Sequence, residues 1–67
     1  MNVKGQRVIV SPTSEGVRRS CPAANWIEQL TTVTLLGDCV GGTLDVVDVI
    51  TNTGERESVY GFNIDKQ

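Results

Sequence analysis

Between Thr31 and Ile50 the sequence reads TTVTLLGDCVGGTLDVVDVI, two runs dense in β-branched residues separated by GDCVGG. β-Branched side chains lose rotamer freedom on a helix and pack well on a pleated surface. Gly37, Gly41 and Gly42 punctuate the segment, so each run has the length of a strand. A phosphate-cradling glycine loop needs a helix behind it, because amides and dipole converge at the helix N-terminus. Here the following segment is TLDVVDVI, a strand by composition. The glycines are therefore expected to reverse the chain between two strands.

The rest of the chain extends the β pattern. VKGQRVIV (3–10) reads as a first strand that stops at Ser11-Pro12, where proline removes a ladder donor. SPTSEGVRRSCPAAN is polar and broken by Pro12, Gly16 and Pro22, so it reads as a long loop. PAANWIEQL has room for one or two helical turns, with Pro22 suited to the first helical position. TTVTLL is the second strand, with Thr31, Val33 and Leu35 on one face.

In TLDVVDVI, strict alternation from Leu44 sets Asp48 among aliphatic side chains, which is costly. A bulge at Val46-Val47 would turn Leu44, Val47 and Val49 inward and both Asp45 and Asp48 outward; the alternative is an Asp48 satisfied by a loop amide. TNTGERES is a turn in which Asn52 and Gly54 tolerate positive φ. SVYGFNI closes the chain with Tyr60 and Phe62 on one face, and Gly61 between them suggests a bend or a close approach of another strand. The expected core is Val8, Val10, Val33, Leu35, Leu44, Val47, Val49, Tyr60, Phe62 and Ile64.

A chain of 67 residues makes one domain, 1–67, and buries only roughly 60% of the surface its unfolded form exposes. A core of that size supplies about 3–5 kcal/mol net, which leaves little to hold a strained active site, and no enzymatic activity is expected. Six basic and eight acidic residues give a net charge of −2, dispersed along the chain. That is not the footprint of a protein that neutralises many phosphates. No stretch has the apolar length of a signal peptide or a membrane span, so the expected location is cytoplasmic. Cys21 and Cys39 are then expected to be reduced thiols. With no histidine in the chain they make a poor zinc site, and no metal or other cofactor is expected.

The opening KGQRVIV, the long loop, the tryptophan ahead of a strand in NWIEQLTTVTLL, the strand GGTLDVVDV and the aromatic SVYGFNID together resemble the small Src-homology-3-like (SH3-like) barrels. Bacterial and phage versions of KOW type often begin with a G-x-x-V-x-V strand, which Gly5, Val8 and Val10 match. The resemblance implies an all-β fold: a small SH3-like barrel of four to five short antiparallel strands with a long loop after strand one. It also suggests a phage or bacterial accessory protein. The compact glycine-centred turn of a KOW motif is missing, as are the acidic loop and tryptophan-proline pair by which signalling barrels hold proline-rich peptides. VTLLGDCVGGTL resembles the first half of an Sm-type RNA-binding motif, with a short spacing and without the second half.

Several residues carry candidate chemistry. Cys39 lies in the glycine segment with some exposure expected, but a catalytic thiol needs a base or positive neighbour, and the chain has no histidine. Asp45 and Asp48 read as a solvated strip that discourages edge-to-edge pairing rather than as an acid–base pair. Arg18 and Arg19 are the only adjacent basic pair and lie on the long loop; they are either merely solvated or in contact with a partner. Trp26 is either part of the core or, if exposed, a leading contact residue. The function expected is a non-enzymatic interaction or regulatory module that binds a macromolecular partner through the 11–26 loop with Arg18, Arg19 and Trp26. The alternative is a KOW- or Sm-like nucleic-acid-binding accessory protein. A protein partner is favoured, nucleic acid is disfavoured by the net negative charge, no membrane is involved, and the oligomeric state is open.

Overall fold

The computed structural model describes residues 2–65. Four strands, β1 (Arg7–Val10), β2 (Thr31–Leu35), β3 (Val46–Thr51) and β4 (Arg56–Tyr60), form one antiparallel sheet in the order β1-β2-β3-β4. Among the described residues there is no α-helix, only single 3₁₀ turns at Arg18–Ser20, Pro22–Ala24 and Gly61–Asn63. The protein is a small all-β domain. No helix among the described residues is long and apolar enough to cross a membrane.

Alternation decides which face is buried. Val8 and Val10 of β1, Val33 and Leu35 of β2, Val47 and Val49 of β3 and Val59 of β4 all point into one core. The connection between β1 and β2 closes over that face and inserts Ala24 and Ile27, both fully buried. The segment read as a short helix contributes one 3₁₀ turn, which Pro22 begins. Its role is to deliver Ala24 and Ile27 to the sheet.

Two expectations about the core change. β3 and β4 pair one to one, Val46 with Tyr60, Val47 with Val59, Asp48 with Ser58, Val49 with Glu57 and Ile50 with Arg56, so no bulge interrupts Val46-Val47. The strand starts at Val46, and simple alternation then turns Val47 and Val49 inward and Asp48 to water. Leu44 precedes the strand and, without a bulge, has the parity of the outward Val46 and Asp48; it is 77% exposed. At the other end, Val59 is the inward residue of β4, and the chain leaves the strand for a 3₁₀ turn at Gly61. Tyr60 and Ile64 therefore pack against the margin of the core, and Phe62 is half-buried outside it.

The turns follow local chemistry. In the β3–β4 hairpin the Gly54 N–H donates to Thr51 O and the Thr51 N–H to Glu55 O, each at 2.9 Å, with Gly54 at φ +87°. This is a three-residue loop ending in a left-handed glycine, and Asn52 keeps negative φ. The β2–β3 connection is an excursion rather than a tight turn. Cys39 exchanges two 2.8 Å backbone hydrogen bonds with Asn2, and the Lys4 N–H donates to Asp38 Oδ1 at 2.8 Å. The glycine segment thus docks against the N-terminal stretch.

The far end of the chain returns to β1. Val10 and Ile64 form an antiparallel bridge, flanked by Ser11 N–H to Asn63 O at 2.8 Å and Asp65 N–H to Ile9 O at 2.7 Å. Asn63 is the knot of this closure and is only 1% exposed. Its Oδ1 accepts from the Tyr60 N–H at 3.0 Å, while its Nδ2 donates to Ser11 O at 3.0 Å and to Thr13 Oγ1 at 3.1 Å. Every buried side-chain polar atom among the described residues has a partner, as a core this small requires.

Candidate functional site

The 11–26 loop is polar in sequence yet well anchored. Its start is held by Asn63, and its middle and end by the buried Cys21, Ala24 and Ile27. Between these anchors Arg18 bridges the loop internally, donating from Nη2 to Asn25 O at 2.7 Å and to Ile27 O at 3.4 Å. An arginine does this well because its planar fork offers several donors at once and is weakly hydrated. Arg18 is half-buried as a result, and Arg19 beside it is exposed. The two arginines have different surroundings despite their adjacency.

Glu15, Arg18, Arg19 and Asn25 line an open, shallow concavity of about 430 Å³. The sequence reading singled out the two arginines but not Glu15 or Asn25. No local signal marks Asn25, since its place depends on the turn that Pro22 begins. Trp26 lies half-buried against the core, and its indole N–H donates to Ser58 O at 2.7 Å. That carbonyl belongs to β4, which has no further strand beside it. Trp26 therefore covers part of a sheet edge, a common protection against intermolecular pairing.

The remaining candidates separate cleanly. Cys39 is 4% exposed and belongs to the core, not to an accessible turn. Burial, and then the nearby Asp45 carboxylate, push its thiol pKa upward, the opposite of what a nucleophilic thiolate needs. Cys21 is also buried, and both thiols are free. Among the described residues no group of three or more Cys, Asp or Glu side chains could hold a metal ion. Asp45 and Asp48 are both exposed, and Asp48 accepts a hydrogen bond from Ser58 Oγ at 3.2 Å.

The thiol environment makes a direct test. Both cysteines should react slowly with a thiol reagent in the folded protein and promptly after denaturation; rapid native reaction, or recovery of neither, would contradict the burial. The Cys39 proton is held more tightly in the folded than in the unfolded chain. Its contribution to stability is complete below the unfolded thiol's pKa and is lost as pH rises through the folded one. Denaturation midpoints should accordingly fall on the alkaline side of the ordinary thiol range, and less so in Cys39→Ala.

Comparisons with protein-family models, with curated proteins and with solved structures each find no match.

Proposed function

We propose that this protein is a non-enzymatic interaction module that binds a macromolecular partner, a protein, through its 11–26 loop, with Arg19, Arg18 and Trp26 at the contact. The carrying observation is the pairing of a well-anchored loop with an open concavity: Arg18 is bonded to Asn25 O and Ile27 O while Arg19 is left exposed beside it. A preorganised loop loses little conformational entropy on binding, and arginine is enriched among residues that concentrate binding energy. We read the architecture as an SH3-like barrel of bacterial or phage accessory type. Supporting this is the return of Ile64 to Val10, which gives β1 a neighbour on each side.

The test is affinity purification from the native host, followed by titration of the recovered partner with loop variants. Arg19→Ala should weaken binding by about 1–3 kcal/mol and leave the melting temperature unchanged. Arg18→Ala should in addition destabilise the fold by about 1 kcal/mol, because it removes a charged donor from two backbone carbonyls. Of the two loop arginines, only Arg19 is then removable without cost to the fold. Equal binding by the Arg19 variant overturns the reading. Binding to nucleic acid that weakens steeply with added salt would favour the accessory-protein alternative instead.

A further inference from the structure

β4 is the last strand of the sheet, and the register fixes which of its backbone groups face away from β3. In an antiparallel pair, residues that exchange hydrogen bonds with the partner strand alternate with residues whose N–H and C=O point the other way. Thr51 N–H donates to Glu55 O and Gly61 N–H to Asp45 O, so Thr51 with Glu55 and Asp45 with Gly61 are bonded pairs. Val49 with Glu57 and Val47 with Val59 follow in the same alternation. The backbone groups of Arg56, Ser58 and Tyr60 therefore line the open edge. Side chains from elsewhere in the chain close two of them: the Trp26 indole N–H donates to Ser58 O at 2.7 Å, and Asn63 Oδ1 accepts from the Tyr60 N–H at 3.0 Å. Among the described residues, the N–H and C=O of Arg56 and the N–H of Ser58 have no hydrogen-bond partner.

An unpaired edge is a template for another strand, and the registers open to a second copy of β4 depend on Trp26. In an antiparallel pair centred on Glu57, Arg56 of each copy lies opposite Ser58 of the other, and the N–H and C=O of both residues bond. Centred on Ser58, the two Ser58 residues exchange bonds and Arg56 of each copy lies opposite Tyr60 of the other. Both registers need Ser58 O, the acceptor that the indole occupies. A register centred on Arg56 makes its central bonds without Ser58 O but sets two guanidinium side chains directly opposite, which is unfavourable. We infer that Trp26 is a latch on this edge: its bond to Ser58 O keeps the chain single, and its loss lets a second copy pair β4 to β4, antiparallel, through Arg56 and Ser58. The 3₁₀ turn at Pro22–Ala24 packs against β4 immediately before Trp26. The loop that delivers Ala24 and Ile27 to the core thus also sets the latch.

The readout is self-association, so it is independent of partner binding by the loop. Two five-residue strands bury far less than the ~800 Å² per partner of a stable interface, so the pairing is weak. Trp26→Phe keeps an aromatic ring beside the core and lacks the donor. Light scattering at about 1 mM protein should give a monomer for wild type and a mass rising toward twice that value for Trp26→Phe. The Arg56 and Ser58 amide resonances of the variant should shift with its concentration. Adding Ser58→Pro, which removes the outward N–H and is tolerated on an edge strand, should restore the monomer. In wild type the Trp26 indole proton should exchange with deuterium at least about tenfold more slowly than in the denatured chain, a measurement that needs no variant to fold. A monomeric Trp26→Phe with native circular dichroism, a dimer that survives Ser58→Pro, a dimeric wild type, or an indole proton that exchanges as in the denatured chain would overturn the inference.

Discussion

Gly61→Ala is expected to destabilise the protein by about 3 kcal/mol, enough to remove most of the net stability of about 3–5 kcal/mol that a domain of this size has. A Cβ at this position would run into Val40 O and would lie 2.5 Å from Thr43 Oγ1 and 3.1 Å from Thr43 N. Two of these three atoms are backbone and cannot rotate away. Relief would require the 40–45 segment to withdraw from β4, breaking the hydrogen bonds from Gly61 N–H to Asp45 O, Phe62 N–H to Thr43 O and Gly42 N–H to Gly61 O. The cause is close approach alone, because Gly61 does not have positive φ. Gly54 offers the contrasting case: it has open space around it, and substitution there strains only the backbone. Chemical denaturation of the two alanine variants should rank Gly61 well above Gly54, and equal losses would show that the 40–45 segment yields readily.

Asn63→Leu should cost about 3 kcal/mol, through the part-buried Tyr60 N–H and Ser11 C=O and the buried Thr13 hydroxyl left without this partner. Leucine has a similar volume, so the loss reports hydrogen bonding more than a cavity. Asn63→Asp separates the two halves of the amide. It keeps the acceptor for the Tyr60 N–H but removes both donors and sets a carboxylate against Ser11 O. Burial raises the pKa of such a carboxyl, and when protonated it can again donate. The deficit of the aspartate variant relative to wild type should therefore shrink as pH falls, while that of the leucine variant should not. A pH-independent deficit in both would mean that Asn63 acts by shape alone.

Both positions lie in SVYGFNID, a segment that resembles an ordinary alternating strand. Gly61 was legible as a point of bend or close approach, because a glycine between aromatic residues has little other reason to be there. The partner in that approach was not legible: Val40 and Thr43 come from a loop about twenty residues away in sequence. Asn63 gave no signal, since a buried asparagine and a solvated one are written with the same letter. The stacked aromatics, Tyr60 and Phe62, were visible as a pair on one face. That this face lies outside the core depended on β4 turning Val59 inward.

The sequence by itself determined the all-β class, the places where strands 1, 2 and 3 lie, the loop after strand one, and six of the core positions: Val8, Val10, Val33, Leu35, Val47 and Val49; the last strand lies earlier than SVYGFNI, at Arg56–Tyr60. These follow from short-range rules, namely β-branched composition, period-two alternation, and proline and glycine punctuation. Only the tertiary structure decided which loop residues complete the core, what Arg18 bonds to, and which apolar side chains stay exposed. Ala24 and Ile27 are buried because the loop folds back over the sheet, and Leu44 is exposed because β3 pairs without a bulge, which leaves Leu44 on the outward parity of Val46 and Asp48. Cys39 is buried because the glycine segment pairs with Asn2. Each of these outcomes depends on contacts between residues far apart in the chain, and no local pattern of residue types encodes the register in which such contacts form.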